Sequence, residues 1–256
     1  MPVNGSRLKE IVGMDEFSNP AGLVKALVAE IMGTLFIVFF GCMSTLTVPA
    51  DQSIDIVAIA ITFGSIIFVL VQAIGHVSGG HFNPAVTCSF LVVGRITIIR
   101  SLLYISAQLL GAIIGASLLK GMTPSHAIGT LGVSSIHPTL SPAQGVGVEF
   151  MLGFILLFVV FGVTDPNKPN SIITAPLAIG FTVTAVTHAT IGYTSTSMNP
   201  ARSLGPALIM NSWEHHWIFW LGPCAGGVTA ALFYKLGFSD SSDERMKNPN
   251  PTEVSL

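Results

Sequence analysis

Two Asn-Pro-Ala triplets place helix-starting signals inside strongly apolar segments. They are Asn83, Pro84 and Ala85 in GGHFNPAVTCSF, and Asn199, Pro200 and Ala201 in TSMNPARSLGPA. Asn is a favoured N-cap residue, and Pro is favoured at the first helical position, where its missing N–H costs nothing. Each triplet is therefore predicted to begin a helix.

The length of the first of these helices predicts a re-entrant segment. The apolar run after Pro84 lasts about ten residues before Gly94 and Arg95, and at about 1.5 Å per residue it crosses only about half of a bilayer. We expect a half-helix here and a twin that begins at Pro200 and enters from the opposite side. Their N-termini would then meet near the membrane centre.

That arrangement has a definite electrostatic chemistry. A helix N-terminus carries about +0.5 charge, so two facing N-termini repel cations, and Arg202 adds a full positive charge just outside the centre. If each Asn caps its own helix with its side-chain oxygen, its NH₂ group points outward as a donor. A water that passes would present its oxygen to both amides, which interrupts the hydrogen-bonded chain that protons follow.

The composition identifies the elements that must position these groups. The chain has 256 residues, of which 50% are hydrophobic and 9% charged, with a mean hydropathy of +0.71. An ordinary soluble domain has about 25% charged residues. We therefore predict an all-α multi-pass membrane protein, with six spans at about 23–46, 54–76, 98–119, 144–163, 171–190 and 215–236.

The cations predict the orientation of these spans. Six spans place both termini on one side, and nine of the 11 Lys and Arg residues fall on that side, which leaves Lys120 and Arg202 for the other. By the positive-inside rule both termini are cytoplasmic.

An internal repeat relates the two halves of the chain. AEIMGTLFIVFFG at 29–41 matches VEFMLGFILLFVVFG at 148–162, and Glu30 and Glu149 open the two runs. Three spans per half force the second half to enter from the opposite face, and broken helices at matching positions then indicate a site at the midplane. The two glutamates could relay protons, but we expect them to accept hydrogen bonds from the N–H groups of the re-entrant loops.

At these residues the sequence resembles the aquaporins, the major intrinsic protein family. The resemblance covers about residues 22–238 and includes both triplets, SGGH, NPARSLGPA, the two glutamates and WIFWLGP. It implies an aquaporin-like fold of six transmembrane helices plus two re-entrant half-helices in inverted repeats, and a homotetramer with one pore per subunit. The implied channel domain spans 23–238, with repeats of about 23–120 and 144–238. A cytoplasmic N-terminal segment, 1–22, precedes it and a cytoplasmic tail, 239–256, follows.

The resemblance also implies a selectivity filter of four residues: Phe63, Thr187, Thr196 and Arg202. Phe63 and Arg202 match the water-selective members, and Thr196 stands where many vertebrate members have a mercury-sensitive Cys. Thr187 stands where water-only members have His. His188 comes one residue later, and it would be rotated about 100° around the helix from the pore-facing position.

The predicted filter is thus wider than that of the water-only members, although the residues around it are of the water-channel type. Ser203 stands where glycerol facilitators have Asp, and Ala207, Phe219 and Trp220 are also of the water-channel type. This combination, with FFGCM in the first span, resembles the insect entomoglyceroporins. The expected function is a passive channel for water and for glycerol or urea, which excludes ions and protons.

Other functions stay open at this point. A strictly water-selective aquaporin is the main alternative, and a junction or adhesion protein with an occluded pore is a third. An ion-coupled transporter would need carboxylates at the midplane, where this chain has Asn83 and Asn199. No Ser-His-Asp, metal or phosphate-binding pattern is evident, so we expect no enzyme activity, cofactor or metal.

The remaining expectations concern surroundings and the pore wall. The expected partners are water, glycerol and other small neutral solutes, membrane lipid and further copies of the chain, with no nucleic acid, and the expected location is the plasma membrane. His81 and His76 flank the first half-helix near its cytoplasmic end. They could form a pH gate, but we expect hydrogen-bonded residues that support the loop or line the wall.

Overall fold

A computed structural model describes residues 5–49, 53–168 and 171–238, and the predicted tail 239–256 lies outside these residues. The described residues form nine α-helices, one 3₁₀ segment at Met14–Ser18 and another at Ser125–Ala127, and no strand. The helices are α1 Gly5–Val12, α2 Pro20–Met43, α3 Ile56–Ser78, α4 Pro84–Val92, α5 Ile98–Met122, α6 Pro142–Val163, α7 Ser171–Thr194, α8 Pro200–Met210 and α9 Ile218–Gly237.

Six long helices correspond to the six predicted spans. Five of them, α2, α3, α5, α6 and α7, are long and apolar enough to cross a membrane. The sixth, α9, has 20 residues but carries four Gly and one Pro, which lower its hydropathy. The all-α fold of six spans and two short helices is therefore as predicted.

Helix starts follow the capping residues more closely than the hydropathy. Helix α2 begins at Pro20, three residues before the predicted boundary, because the Asn19 side chain accepts a hydrogen bond from the Gly22 N–H at 3.0 Å. Helix α6 begins at Pro142, where Ser141 and Gln144 form a capping box.

Both Asn-Pro-Ala triplets begin short helices, which confirms the reading of the motif. Helix α4 has nine residues and α8 has 11. The Asn83 side-chain oxygen accepts from the Ala85 N–H at 2.8 Å, and that of Asn199 accepts from the Ala201 N–H at 3.0 Å. The chain reaches Asn83 through Gly79 and Gly80, whose φ angles of 93° and 65° are unfavourable for other residues.

Packing between helices follows the inverted repeat. Helix α2 packs against α3 and α5, α6 packs against α7 and α9, and α3 packs against α7 across the two halves. Each half-helix packs against the last long helix of the other repeat, α4 on α9 and α8 on α5. The halves are thus interlocked around the half-helices.

Glycines allow the closest of these approaches. A side chain at Gly111 would collide with the backbone of Ile31, and one at Gly153 with the backbone of Pro223. These two glycines therefore permit close helix contact.

The segment before the first span is more structured than the sequence indicated. It contains α1 and the 3₁₀ segment, and Glu16 binds the start of α5. The Glu16 carboxylate accepts hydrogen bonds from the Arg100 Nε at 2.7 Å and from the Thr97 hydroxyl at 2.9 Å. The contact fixes the N-terminal segment to the helical bundle.

Candidate pore

The two Asn-Pro-Ala triplets meet at the centre of the molecule. The Asn83 Nδ2 donates to the Met198 carbonyl at 2.9 Å, and the Asn199 Nδ2 donates to the Phe82 carbonyl at 2.9 Å. The sequence predicted that both N–H groups of each amide would face the passage. The structure corrects this: one N–H of each amide binds the opposite loop, and one is left for a passing molecule.

The residue before each Asn connects the two repeats. Phe82 and Met198 have φ angles of 49° and 53°, in the left-handed region. While their carbonyls bind the opposite Asn, their N–H groups donate to buried carboxylates, Phe82 to Glu30 at 2.7 Å and Met198 to Glu149 at 2.9 Å. An unfavourable backbone conformation is thus stabilised at both of its polar groups.

Both glutamates accept several hydrogen bonds from the loops. Glu30 also accepts from the His81 N–H at 3.0 Å, the Ser78 hydroxyl at 2.6 Å and the Gln108 amide at 2.7 Å.

Glu149 also accepts from the Ser197 N–H at 2.9 Å and the Thr194 hydroxyl at 2.6 Å. Every partner of both carboxylates is a donor, and both side chains are fully buried away from the cavity. These are the contacts of an acceptor that supports a loop, whereas a proton relay needs access to the passage.

A cavity of about 620 Å³ leads from one face of the molecule to this centre. Its mouth lies near the end of α3 and the start of α7, on the side where the spans place both termini. It is lined mainly by aliphatic side chains such as Val71, Ile179 and Val183. It passes Asn83 and Asn199 and reaches three of the four predicted filter residues, Phe63, Thr196 and Arg202.

The Arg202 guanidinium is fixed beside the end of this cavity. Its Nη1 donates to the Gly132 carbonyl at 2.6 Å and to the Ser134 hydroxyl at 3.1 Å. Its Cζ lies 5.2 Å from the centre of the Phe63 ring. The Nε has no hydrogen-bond partner among the described residues. The charge is thus held by neutral groups, and part of its donor capacity is unused.

The fourth predicted filter residue, Thr187, does not line the cavity. Thr187 is buried, with 2% of its surface exposed, and lies one turn after the cavity-lining Val183 on the same face of α7. His188 is exposed on the outer surface. The Thr196 hydroxyl lies 3.0 Å from that of Thr190. The structure thus brings Phe63, Thr196 and Arg202 to the cavity, whereas Thr187 is buried without lining it.

The two histidines have different surroundings. The His81 Nδ1 lies 3.1 Å from the Thr87 hydroxyl, and its ring packs against Phe90 and Tyr104. His81 therefore braces the loop before α4, although its edge also lines the cavity. His76 is exposed at the cavity mouth.

Sequence reasoning missed the residues that hold Arg202. Gly132 and Ser134 lie in the connection between α5 and α6, about 70 residues from Arg202, in a segment without a recognisable pattern. The Ser134 hydroxyl lies 2.7 Å from that of Ser203, which lies 2.5 Å from that of Ser197. This chain of hydroxyls joins the connection to the re-entrant loop. Ser197 and Ser203, which flank the second triplet, were the available signal, but the sequence does not show that Ser134 lies beside them.

Comparisons with known proteins agree with this architecture. The family model described as "Major intrinsic protein" matches residues 17–234. Human aquaporin-4 is 43% identical over 218 residues, which cover 84% of this chain and 67% of that protein. Aquaporin-5 of Sus scrofa is 44% identical, over 82% of this chain and 80% of its own length. The lens fiber major intrinsic protein of Lithobates pipiens is 40% identical with the same coverage.

A solved structure has the same fold. The X-ray structure of the aquaglyceroporin from Plasmodium falciparum superposes with a TM-score of 0.75, over 83% of this chain and 95% of that one. Its sequence is 24% identical, so this likeness concerns the fold alone.

Proposed function

The chain belongs to the major intrinsic protein family, the aquaporins, and we propose that it passes glycerol and urea as well as water while it excludes ions and protons. As a member of this family it is a membrane channel. The proposal for solutes larger than water rests on one observation above all. Thr187 is buried inside the helical bundle, whereas His188 is exposed.

Exclusion of charge follows from the groups at the centre. The N-termini of α4 and α8 both point toward Asn83 and Asn199, and each contributes about +0.5 charge. Arg202 adds a full charge beside Phe63. Because each Asn has one N–H left for the passage, a water there accepts hydrogen bonds from both, and its own hydrogens point away from the centre. At the centre, a proton that arrives along a chain of waters therefore meets a water that is already oriented by two donors and cannot pass the proton on.

Passage of a polyol follows from the size and polarity of the filter. A histidine at position 187 would narrow the opening and add a second polar wall. Thr187 is smaller and would leave more room, and the Phe63 ring gives the carbon backbone of glycerol an apolar surface on the cavity wall. The Arg202 guanidinium, which lines the cavity, can donate hydrogen bonds to its hydroxyls.

We further propose a homotetramer with one pore in each subunit. Exposed residues along α7 include Ile173, Leu177, Phe181 and the polar His188. A polar side chain that faces hydrocarbon at this depth is costly. A neighbouring subunit would cover His188 and the apolar residues beside it.

The proposed orientation places both termini in the cytoplasm of a plasma-membrane protein whose channel domain spans 23–238. The cation distribution is the support for this orientation. Tags at both ends should resist protease added outside intact cells. Efficient cleavage of either tag would contradict the proposed orientation.

A pair of adjacent substitutions tests the solute proposal. Thr187→His should lower glycerol and urea flux in proteoliposomes much more than water flux. His188→Thr is the matched control, because it changes the neighbouring outward-facing residue, and it should leave the ratio of solute to water flux unchanged.

Two results would contradict the proposal: a wild-type channel that excludes glycerol, or a Thr187→His variant with unaltered solute flux. If His188→Thr instead were the variant that raised solute flux, α7 would be rotated from the described position. The pore would then be water-selective.

A further inference from the structure

A small basic pocket lies at the C-terminal end of α4, on the side of both termini. Its walls are formed by Val93, Arg95, Phe161, Ala231, Tyr234 and Lys235. Its volume is about 100 Å³, which has room for a group the size of a phosphate but not for an acyl chain. It is separate from the large cavity that contains the filter residues.

Both cations are positioned by neutral groups. The Lys235 Nζ donates to the Val93 carbonyl, the C-cap of α4, at 3.2 Å. The Arg95 guanidinium lies over the Phe161 ring, 5.0 Å from its centre, and its Nη1 lies 3.4 Å from the Thr164 hydroxyl. Within the described residues, the ion pairs are Arg100 with Glu16 and His215 with Glu214, so neither cation of the pocket has a carboxylate partner there.

Within the described residues, the acid that contacts the wall of this pocket is already occupied. Asp165 is buried and accepts hydrogen bonds from the Tyr234 hydroxyl at 2.8 Å and from the Asn167 N–H at 2.8 Å. Its carboxylate holds Tyr234 in the pocket wall and does not pair with Arg95. Among the described residues, no carboxylate neutralises Arg95 or Lys235, so the pocket keeps positive charge for a ligand.

The other repeat shows which part of this arrangement is structural. At the end of α8, the Lys120 Nζ donates to the Ile209 carbonyl at 3.2 Å, as Lys235 does at the end of α4. A lysine that caps a half-helix is thus common to both repeats. The C-cap of α8 is Asn211, and no arginine follows it before α9. Arg95 is therefore not needed to finish a half-helix.

We propose that this pocket binds the phosphate of an anionic phospholipid headgroup. The planar Arg95 guanidinium matches a phosphate in a two-pronged geometry, and Lys235 adds a point charge. Basic pockets between transmembrane helices are a recurring form of headgroup recognition, and anionic lipids are concentrated in the cytoplasmic leaflet.

The surface beside the pocket favours a lipid over a soluble phosphate. Phe233, Leu236 and Phe238 are 52%, 85% and 56% exposed near the end of α9, adjacent to Lys235. They offer an apolar surface on which acyl chains can lie while the headgroup enters the pocket. The inference requires that the chain span a bilayer, and it is independent of which solutes pass.

Native mass spectrometry of the full-length protein, released from vesicles of phosphatidylcholine with one-fifth phosphatidylserine, tests this site. The wild type should retain phosphatidylserine in preference to phosphatidylcholine. Arg95→Gln should retain it about tenfold less, since it loses a hydrogen bond between charged groups. Lys235→Gln should also lose retention. Lys120→Gln, which removes the same kind of helix cap at the opposite face, should not.

Three outcomes would overturn the proposal: equal retention by wild type and Arg95→Gln, no preference over phosphatidylcholine, or displacement of the lipid by millimolar inorganic phosphate. The last would indicate a site for a soluble anion. Water permeability of Arg95→Gln in phosphatidylcholine vesicles should equal that of the wild type, so failure of this site is distinguishable from failure of the channel proposal.

Discussion

Replacing Glu149 by alanine would leave two backbone N–H groups of the second re-entrant loop without an acceptor. Those groups belong to Ser197 and Met198, and each donates to the Glu149 carboxylate at 2.9 Å. A buried donor without a partner costs about 1–3 kcal/mol, so the two together cost about 2–6 kcal/mol. Each 1.4 kcal/mol is about tenfold in an equilibrium. The ordered loop would therefore be disfavoured by roughly thirtyfold or more.

Glu149→Gln should have an intermediate effect. The Gln side chain keeps one acceptor oxygen, but its NH₂ group would face the loop donors that bind the second oxygen of Glu149. The expected order of thermal stability and of water permeability per folded subunit is wild type, then Gln, then Ala. Stopped-flow light scattering of proteoliposomes measures the permeability, and thermal unfolding in detergent measures the stability.

Glu214→Ala is the control for this series. The Glu214 side chain is 88% exposed, and its one ion-pair contact in the described residues is with His215 at 3.9 Å. It should match the wild type in both assays. A Glu149→Ala protein with wild-type melting temperature and water permeability would refute the view that this carboxylate holds the loop.

Three further changes test other parts of the structure. Arg202→Val should keep most of the water flux but admit protons or small cations. The proton leak is measured as the pH change inside vesicles under a voltage. Unchanged exclusion of ions would mean that the half-helix dipoles suffice without the guanidinium. Gly153→Val should lower the melting temperature sharply because its side chain meets the Pro223 backbone, at a cost of about 1–3 kcal/mol or more. Gly147→Val, in the same helix, is the control because its side chain faces open space. Equal stability of the two variants would contradict the packing described. Thr196→Cys should gain inhibition of water flux by HgCl₂ because position 196 lines the cavity; a variant no more sensitive than wild type would place that residue away from the passage.

Local signals in the sequence predicted the short-range features. Asn-Pro-Ala encodes its own helix cap, so the starts of α4 and α8 followed from three residues each. The inward position of Thr187 and the outward position of His188 followed from counting along one regular helix.

Contacts between distant segments could not be predicted in this way. The hydrogen bond that the Asn83 amide donates to the Met198 carbonyl joins residues 115 apart, and the one that Arg202 donates to the Gly132 carbonyl joins residues 70 apart. Neither contact leaves a periodic pattern, because each depends on how two halves dock. The binding of Glu16 to Arg100 was hidden for the same reason, since its charged segment resembles any polar terminus.

Paired water and glycerol permeabilities of the purified wild-type protein in liposomes test the central claim most directly. The arrangement of Phe63, Thr187 and Arg202 predicts that water and glycerol both cross faster than in protein-free liposomes, while the proton permeability stays at the protein-free level. Fast water flux with glycerol flux at the protein-free level would contradict the wide filter and indicate a water-selective channel. Absence of both fluxes from folded protein would contradict the open pore itself.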